Sequence, residues 1–102
     1  MALAKRIAVT LPAGPRIEDT VSRIQWAEEE GIADAWFSDS GAPDTLTQVA
    51  AIAHQTKNIR IGTAVTPVYT RSPSVLAASA NVIGQRLPDR FVMGLGSSSQ
   101  TI

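Results

Sequence analysis

The stretch that decides the fold is residues 90–99, Arg-Phe-Val-Met-Gly-Leu-Gly-Ser-Ser-Ser, where a short apolar run passes directly into glycine and serine. Three similar runs, rich in Ile, Val, Phe or Trp, precede it. The four runs are Arg6 to Leu11, Ala33 to Ser38, Ile59 to Thr66 and Arg90 to Leu95. Short runs that are almost continuously apolar are typical of strands covered on both faces, and they therefore favour a parallel sheet.

Three segments between these runs have the 3.6-residue period of helices. Their apolar stripes are Ile17, Val21 and Ile24; Leu46, Val49, Ala50 and Ala53; and Leu76, Ala80, Ile83 and Leu87. Thr45 and Gln48 have capping-box spacing at the start of the second segment, and Lys57-Asn58 suits its last turn. In the third, Ser72 is the predicted cap and Pro73 the first helical residue.

The predicted order is therefore β-α-β-α-β-α-β, with strands that begin near residues 6, 33, 59 and 90. Right-handed crossovers then give either a doubly wound open sheet or an arc of a (β/α)8 barrel. No helix follows the fourth run to cover it, which an open sheet would need. We therefore expect an α/β fold, the first four parallel strands and three helices of a (β/α)8 TIM barrel. Residues 1–102 would form a single N-terminal half-barrel segment of a longer chain.

Composition excludes several classes of function. The 102 residues are 44% apolar, enough for one domain, and nine basic residues balance nine acidic ones. A net charge of zero argues against nucleic-acid and membrane-surface partners. With no cysteine and one histidine, His54, the usual zinc ligand sets are missing. No apolar run reaches the length of a membrane span, and the first is too short for a signal peptide. We expect a cytoplasmic protein without a metal.

In parallel α/β folds the ligand lies at the carboxyl ends of the strands. Asp39 is the only carboxylate placed directly after a predicted strand. It is either a group that accepts a hydrogen bond or moves a proton, or a turn residue that satisfies loop N–H groups. Gly94 and Gly96 indicate either a backbone that closely approaches a ligand or a crowded barrel mouth.

Three other residues are better explained structurally. Glu28 lies on the apolar stripe of the first helix, near the amino ends of the strands, and we expect it to bond backbone there. His54 is far from any strand end and is interpreted as structural or solvated. Trp26 faces away from the stripe, and is either simply exposed or part of a subunit contact.

Four motifs together carry a family resemblance. They are Ala27 to Phe37 (AEEEGIADAWF), Ile59 to Val65 (IRIGTAV), Ser72-Pro73 and Arg90 to Gly96 (RFVMGLG). In this order and spacing they resemble the luciferase-like monooxygenase family. The closing sequence at residues 94–99 is most similar to the coenzyme F420-dependent branch, which is related to methylenetetrahydromethanopterin reductase.

The resemblance implies an oxidoreductase or monooxygenase in which F420, or alternatively FMN, passes hydride to a small-molecule substrate or activates oxygen. It implies that Asp39 is an acidic residue near the ring or substrate; many members have histidine next, where this chain has Ser40. Ala64, Val65 and Thr66 match a strand end where members commonly have a non-proline cis peptide against the ring. Gly96 and Ser97 match the next strand end, near the ring and its side chain.

A second hypothesis is a cofactor-free half-barrel that serves as a binding or assembly module. Trp26 and the uncovered fourth strand suggest it, since a homo-oligomer or a companion chain could cover the exposed sheet edges. A fragment without a role of its own is a third possibility.

Overall fold

Strands and helices alternate through the chain as predicted. The structure, a computed structural model, describes residues 6–39 and 43–97. The strands are β1 (Ala8–Thr10), β2 (Asp34–Phe37), β3 (Arg60–Pro67) and β4 (Phe91–Gly96). The helices are α1 (Ile17–Glu29), α2 (Thr45–Ile52) and α3 (Pro73–Arg86), and a short 3-10 turn, Ala53–Gln55, follows α2.

The four strands form one sheet in the order β1-β2-β3-β4, and every neighbouring pair is parallel. Strands that are consecutive in the sequence are thus adjacent in the sheet. A doubly wound sheet would reverse its strand order at a switch point, whereas a barrel adds each strand beside the previous one. The strand order therefore favours the barrel arc over the open sheet.

The helices cover one face of this sheet and build the hydrophobic core with it. Side chains alternate between the two faces of a strand, so Ala35 and Phe37 enter the core while Asp34 and Trp36 lie on the opposite face. There the indole of Trp36 lies over Gly62, where a Cβ atom would be 2.5 Å from the ring. The largest fully buried apolar side chains are Ile24, Phe37, Val49, Ile52, Ile59, Ile61 and Leu87.

The start of α3 confirms its predicted cap. The Ser72 hydroxyl accepts a hydrogen bond from the backbone N–H of Val75 at 3.3 Å, and Pro73 occupies the first turn. Of the predicted stripe, Leu76, Ile83 and Leu87 are buried. The local sequence alone thus determines where this helix begins.

The predicted ends of α2 were wrong. Its N-cap is Asp44, because the Thr45 hydroxyl is directed to the carbonyl oxygen of Ser38, at 3.3 Å, and Thr45 is buried. The helix ends at Ile52 and tightens into the 3-10 turn, where the Thr56 hydroxyl donates to the Ala53 carbonyl at 2.9 Å. Lys57-Asn58 therefore lies beyond the last turn, and Ala50 of the predicted stripe is exposed.

Glu28 binds backbone at the amino end of β3, as predicted. Its carboxylate accepts hydrogen bonds from the N–H groups of Lys57, Asn58 and Ile59, including 2.8 Å from Lys57 and 3.0 Å from Ile59. Burial alone would raise the pKa of Glu28, but these N–H groups outweigh it and hold the pKa below its usual value. The contact ties α1 to the segment that leads into β3.

A second carboxylate lies at the amino end of β2. Asp34 accepts two hydrogen bonds from Arg6, at 2.7 and 2.8 Å, and one from Arg60 at 2.8 Å. The hydrogen bonds from Arg6 are the main reason that the pKa of Asp34 lies below its usual value; burial opposes them and Arg60 adds to them. This ion-pair cluster joins the starts of β1, β2 and β3.

Among the helices within residues 6–39 and 43–97, none combines the length and apolar character needed to span a bilayer.

Candidate functional site

The candidate site lies where β3 and β4 end. The structure places Ala64, Val65 and Thr66 near the end of β3, Gly96 at the end of β4, and Ser97 directly after it. The two strand ends are paired, with Thr66 opposite Leu95, and the Val68 N–H donates to the Gly96 carbonyl at 2.9 Å. Two segments that are separated by about thirty positions in sequence thus meet at one edge of the sheet.

The end of β3 has an irregular backbone at this surface. The pairing with β4 shifts register between Thr63 and Thr66, and the peptide bond between Ala64 and Val65 is cis. The cis peptide that the family resemblance implied at this place is therefore confirmed. Ala64 and Val65 are exposed, and the exposed fraction of Val65 is 39%.

Two buried threonines support the irregular segment. The Thr66 hydroxyl donates to the Thr63 hydroxyl at 2.9 Å, and the Thr63 hydroxyl donates to the Gly94 carbonyl at 3.2 Å. Both side chains are fully buried. Thr66, one of the predicted binding residues, therefore supports the site from within, while Ala64 and Val65 form its exposed surface.

Gly94 and Gly96 both lie against β3. A Cβ atom on Gly94 would be 2.4 Å from the Thr63 carbonyl oxygen, and one on Gly96 would be 2.6 Å from Cγ2 of Val65. Real Cβ atoms do not approach other atoms this closely, so β4 needs glycine at both positions. Two explanations were open for these glycines: close approach of a ligand, or crowding between strands at the end of the barrel. The structure supports crowding between β3 and β4.

Asp39 follows β2 at the same edge of the sheet. Its side chain has no exposed area, and its Oδ2 atom lies 2.8 Å from Nη1 of Arg71. Arg71 also forms an ion pair with Asp44, the N-cap of α2. Nearby, the Ser38 hydroxyl donates to the Ala64 carbonyl at 3.3 Å.

The sequence interpretation did not single out Arg71. The available signal was a cation immediately before the Ser72 cap, in the loop that follows the strand next to Asp39. Burial would lower the pKa of Arg71, but hydrogen bonds from its guanidinium to Asp39 and Asp44 raise it above the usual value.

The pKa of Asp44 lies below its usual value. Its main cause is the Thr47 hydroxyl, which donates to Oδ2 at 2.6 Å; burial opposes this effect and Arg71 reinforces it. The guanidinium of Arg71 thus forms ion pairs with both carboxylates. Ser40 and the serines at 98 and 99 lie outside the described residues.

The other candidate residues are distant from this surface. His54 is exposed in the 3-10 turn, 3.0 Å from the amide of Gln55, and Trp26 is 51% exposed on α1. Within residues 6–39 and 43–97, no three His, Asp or Glu side chains are grouped as metal ligands would be. A groove of about 480 Å³ between α2 and α3 contains none of the five predicted binding residues.

The exposed surface fits one face of a planar ring. Ala64 and Val65 supply exposed apolar side chains, and the adjacent glycines add no further side chains. The Ser38 hydroxyl binds the Ala64 carbonyl, and the exposed Ser97 follows β4 directly. A flavin or deazaflavin ring requires apolar contact on its faces and polar groups at its rim. The residues present are therefore compatible with such a ring.

Together the sheet and its helices define a segment of a (β/α)8 barrel. The family model for luciferase-like monooxygenases matches residues 1–102, and the chain belongs to that family. Among solved structures, coenzyme F420-dependent tetrahydromethanopterin reductase from Methanopyrus kandleri superposes with a TM-score of 0.84. It is 22% identical, and the match covers 94% of this chain and 28% of that one. The predicted fold class is confirmed.

Curated relatives are more similar in sequence. The F420-dependent glucose-6-phosphate dehydrogenase of Amycolatopsis mediterranei is 34% identical over 94 residues, covering 82% of this chain and 28% of that protein. The 5,10-methylenetetrahydromethanopterin reductase of Methanolobus tindarius is 31% identical over 75 residues, covering 72% and 23%. The chain thus spans about a quarter of the length of these relatives.

An FMN complex has the same fold. The oxygenating constituent of 3,6-diketocamphane monooxygenase from Pseudomonas putida, solved with FMN, has a TM-score of 0.82 and 21% identity, covering 94% of this chain and 30% of that one. Relatives and structural neighbours of this chain therefore include proteins described as F420-dependent and a monooxygenase that binds FMN.

Proposed function

We propose that this chain forms the N-terminal segment of an F420-dependent oxidoreductase, with FMN as the alternative cofactor. The observation that carries the proposal is the exposed Ala64–Val65 segment at the carboxyl edge of the sheet, bordered by Gly94 and Gly96. The sequence relatives described as F420-dependent support F420 as the first choice.

The chain's own residues would bind and orient the cofactor. Ala64 and Val65 form an apolar support for one face of the ring. Ser97 is exposed directly after β4, where its hydroxyl would bind polar groups of the cofactor. Thr66 and Gly96 act indirectly, because one supports the β3 backbone and the other leaves space for Val65. When bound, F420 supplies hydride chemistry and FMN supplies hydride or oxygen chemistry.

Asp39 is proposed as the acidic residue of the site. Its side chain forms an ion pair with Arg71, and an aspartate carboxylate is able to accept hydrogen bonds. Its catalytic role, and a small molecule as substrate, are proposals for the whole protein.

Further polypeptide is proposed to cover the sheet edges. In the described sheet, β1 and β4 each pair with a strand on one side, and Ile7 and Leu95 are more than half exposed. Exposed edges of parallel sheets are normally covered. The remainder of a longer chain, a second copy or a companion chain would each meet this need; a cytoplasmic location also stays a prediction.

Equilibrium titration tests the proposed binding surface. F420 and FMN are each titrated with the chain and followed by their fluorescence, using Val65→Asp and the control Val82→Asp. Val82 is 59% exposed on α3, outside the proposed site. We expect Val65→Asp to weaken binding about tenfold or more, because it places a charge against an apolar ring face, and Val82→Asp to have no effect. If neither cofactor binds, or if Val65→Asp binds as the wild type does, the proposal is wrong.

A further inference from the structure

Trp36 belongs to a row of residues on the face of the sheet opposite the core. Residues that pair directly in a sheet point to the same face, and Trp36 pairs with Thr10 on β1 and with Gly62 on β3. Gly62 pairs in turn with Val92 on β4. In a (β/α)8 barrel this face is turned toward the axis, so the row lines the lumen and Trp36 contributes its largest side chain.

The indole of Trp36 extends across β3. A Cβ atom on Gly62 would be 2.5 Å from Cζ3 and 2.8 Å from Cε3 of Trp36, and 2.6 Å from the Val92 carbonyl oxygen. Glycine at position 62 therefore lets the indole lie against the strand, where any side chain would displace it. The benzene ring of the indole thus lies over β3, the strand that also carries the exposed Ala64.

The indole lies directly below the proposed cofactor surface. Ser38 and Ala64 follow Trp36 and Gly62 by two positions on the same face, and the Ser38 hydroxyl donates to the Ala64 carbonyl at 3.3 Å. Two residues of a strand span about 7 Å. A planar ring that rests against Ala64 therefore reaches the indole with its inner edge.

Fixed charges lie on the other side of the indole. Asp34, two positions before Trp36, accepts hydrogen bonds from Arg6 and Arg60 at the amino ends of the strands. These ion pairs belong to the same face of the sheet, further from the carboxyl edge. A ligand that enters from that edge thus meets the indole before it reaches the charges.

The chemistry of tryptophan suits contact with a flavin or deazaflavin ring. Aromatic rings attract one another in offset-stacked and edge-to-face arrangements, and the indole offers a large apolar surface for such a contact. The side chain of Trp36 is only partly buried, so part of that surface is available to a ligand.

We infer that Trp36 is the floor of the proposed cofactor surface, where its indole contacts the inner edge of the bound F420 or FMN ring and limits how deeply the ring enters the lumen. The inference rests on the proposed function, because this ring is the one that Ala64 and Val65 are proposed to support. It gives β2 a direct part in binding the cofactor.

The two tryptophans of the chain allow the contact to be measured directly. Trp26 lies on α1, in the helix layer on the other side of the sheet, and is 51% exposed, so its indole is an internal control. In the ¹⁵N-labelled chain each indole N–H gives its own signal, and either Trp26→Phe or Trp36→Phe assigns both. On titration with F420 and FMN, we expect the Trp36 signal to shift and the Trp26 signal to stay unchanged, because ring currents act only at short range.

Substitution tests whether the contact contributes to affinity. We expect Trp36→Ala to weaken cofactor binding about tenfold, and Trp36→Phe, which keeps a smaller aromatic ring, to weaken it about threefold. Trp26→Phe should bind as the wild type does. Thermal unfolding shows which variants are folded; if Trp36→Ala is not, the wild-type indole signals and the affinity of Trp36→Phe decide the result.

The outcomes separate this inference from the proposed function. If the amides of Ala64 and Val65 shift but the Trp36 indole does not, the inference is overturned and the proposed function stands. Equal shifts of both indole signals, or wild-type affinity in a folded Trp36→Ala variant, also overturn the inference alone. If neither cofactor binds the wild type, the proposed function is wrong, and the inference that rests on it falls with it.

Discussion

Val65 occupies the space that a side chain at position 96 would need, with Cγ2 only 2.6 Å from the place of a Cβ atom on Gly96. The two residues belong to adjacent strands at the carboxyl edge of the sheet. Val65 is also exposed, so the shape of the proposed cofactor surface depends on the absence of a side chain at position 96 of β4.

Gly96→Ala is expected to destabilise the chain by about 1–3 kcal/mol, because the new methyl group must displace Val65 or the β4 backbone. Denaturant unfolding measures the change, with Gly84→Ala as the control. Gly84 lies inside α3 with no atom near its Cβ position, so alanine there should stabilise by about 0.5–1 kcal/mol. Equal effects of the two substitutions would contradict the packing described for Gly96.

Glu28→Gln is expected to cost about 1–3 kcal/mol at pH 7, because the neutral amide cannot match the carboxylate that accepts three backbone N–H groups. The folded-state pKa of Glu28 is lowered, so its contribution is fully present above the unfolded pKa of about 4.3 and is lost as the pH falls through the folded value. Unfolding curves at pH 7 and pH 3 measure both effects. The adjacent exposed Glu29→Gln should change stability by less than about 0.5 kcal/mol; a larger loss there would show that helix charge, and not the backbone contact, is responsible.

Asp34→Asn is expected to destabilise by about 1–2 kcal/mol at pH 7, because it removes the charge that Arg6 and Arg60 share. The pKa of Asp34 is also lowered in the folded state, so the difference from the wild type should shrink as the pH falls below about 4. Glu18→Gln, which removes an exposed ion pair with Arg16, is the matched control with almost no expected effect. A pH-independent loss in Asp34→Asn would point to packing instead of charge.

Ser72→Ala is expected to cost about 1 kcal/mol, because the hydroxyl caps the Val75 N–H at the start of α3. Ser79→Ala, in the middle of the helix and away from the cap, provides the comparison for helix propensity. Thermal unfolding should show the loss in the first variant only.

Much of the fold could be predicted because it depends on local patterns. Apolar runs and helical stripes specify the alternation of strands and helices, and Ser72-Pro73 specifies the start of α3 by capping chemistry alone. Glu28 was also predictable, since a carboxylate on an apolar stripe at a helix end needs backbone donors nearby. The ends of α2 were not, because Thr45 and Thr56 form contacts that depend on the tertiary structure.

The location of the candidate site could be predicted from the sequence, but its side-chain contacts could not. Topology alone puts Asp39, Ala64–Thr66 and Gly96 at one edge of the sheet. The burial of Thr66, the contact of Gly96 with Val65 and the ion pair of Asp39 with Arg71 arise from side chains distant in sequence. Only Arg71 carried a local signal, its position just before a helix cap in the neighbouring loop.

The most direct measurement is a titration of the ¹⁵N-labelled chain with F420 and with FMN, followed by amide chemical shifts, which detect weak binding. The account predicts that shifts concentrate at Ala64, Val65, Thr66, Gly96 and Ser97, while amides around Val82, which lines the groove between α2 and α3, do not change. Shifts confined to the groove between α2 and α3, or no shifts with either cofactor, would contradict it.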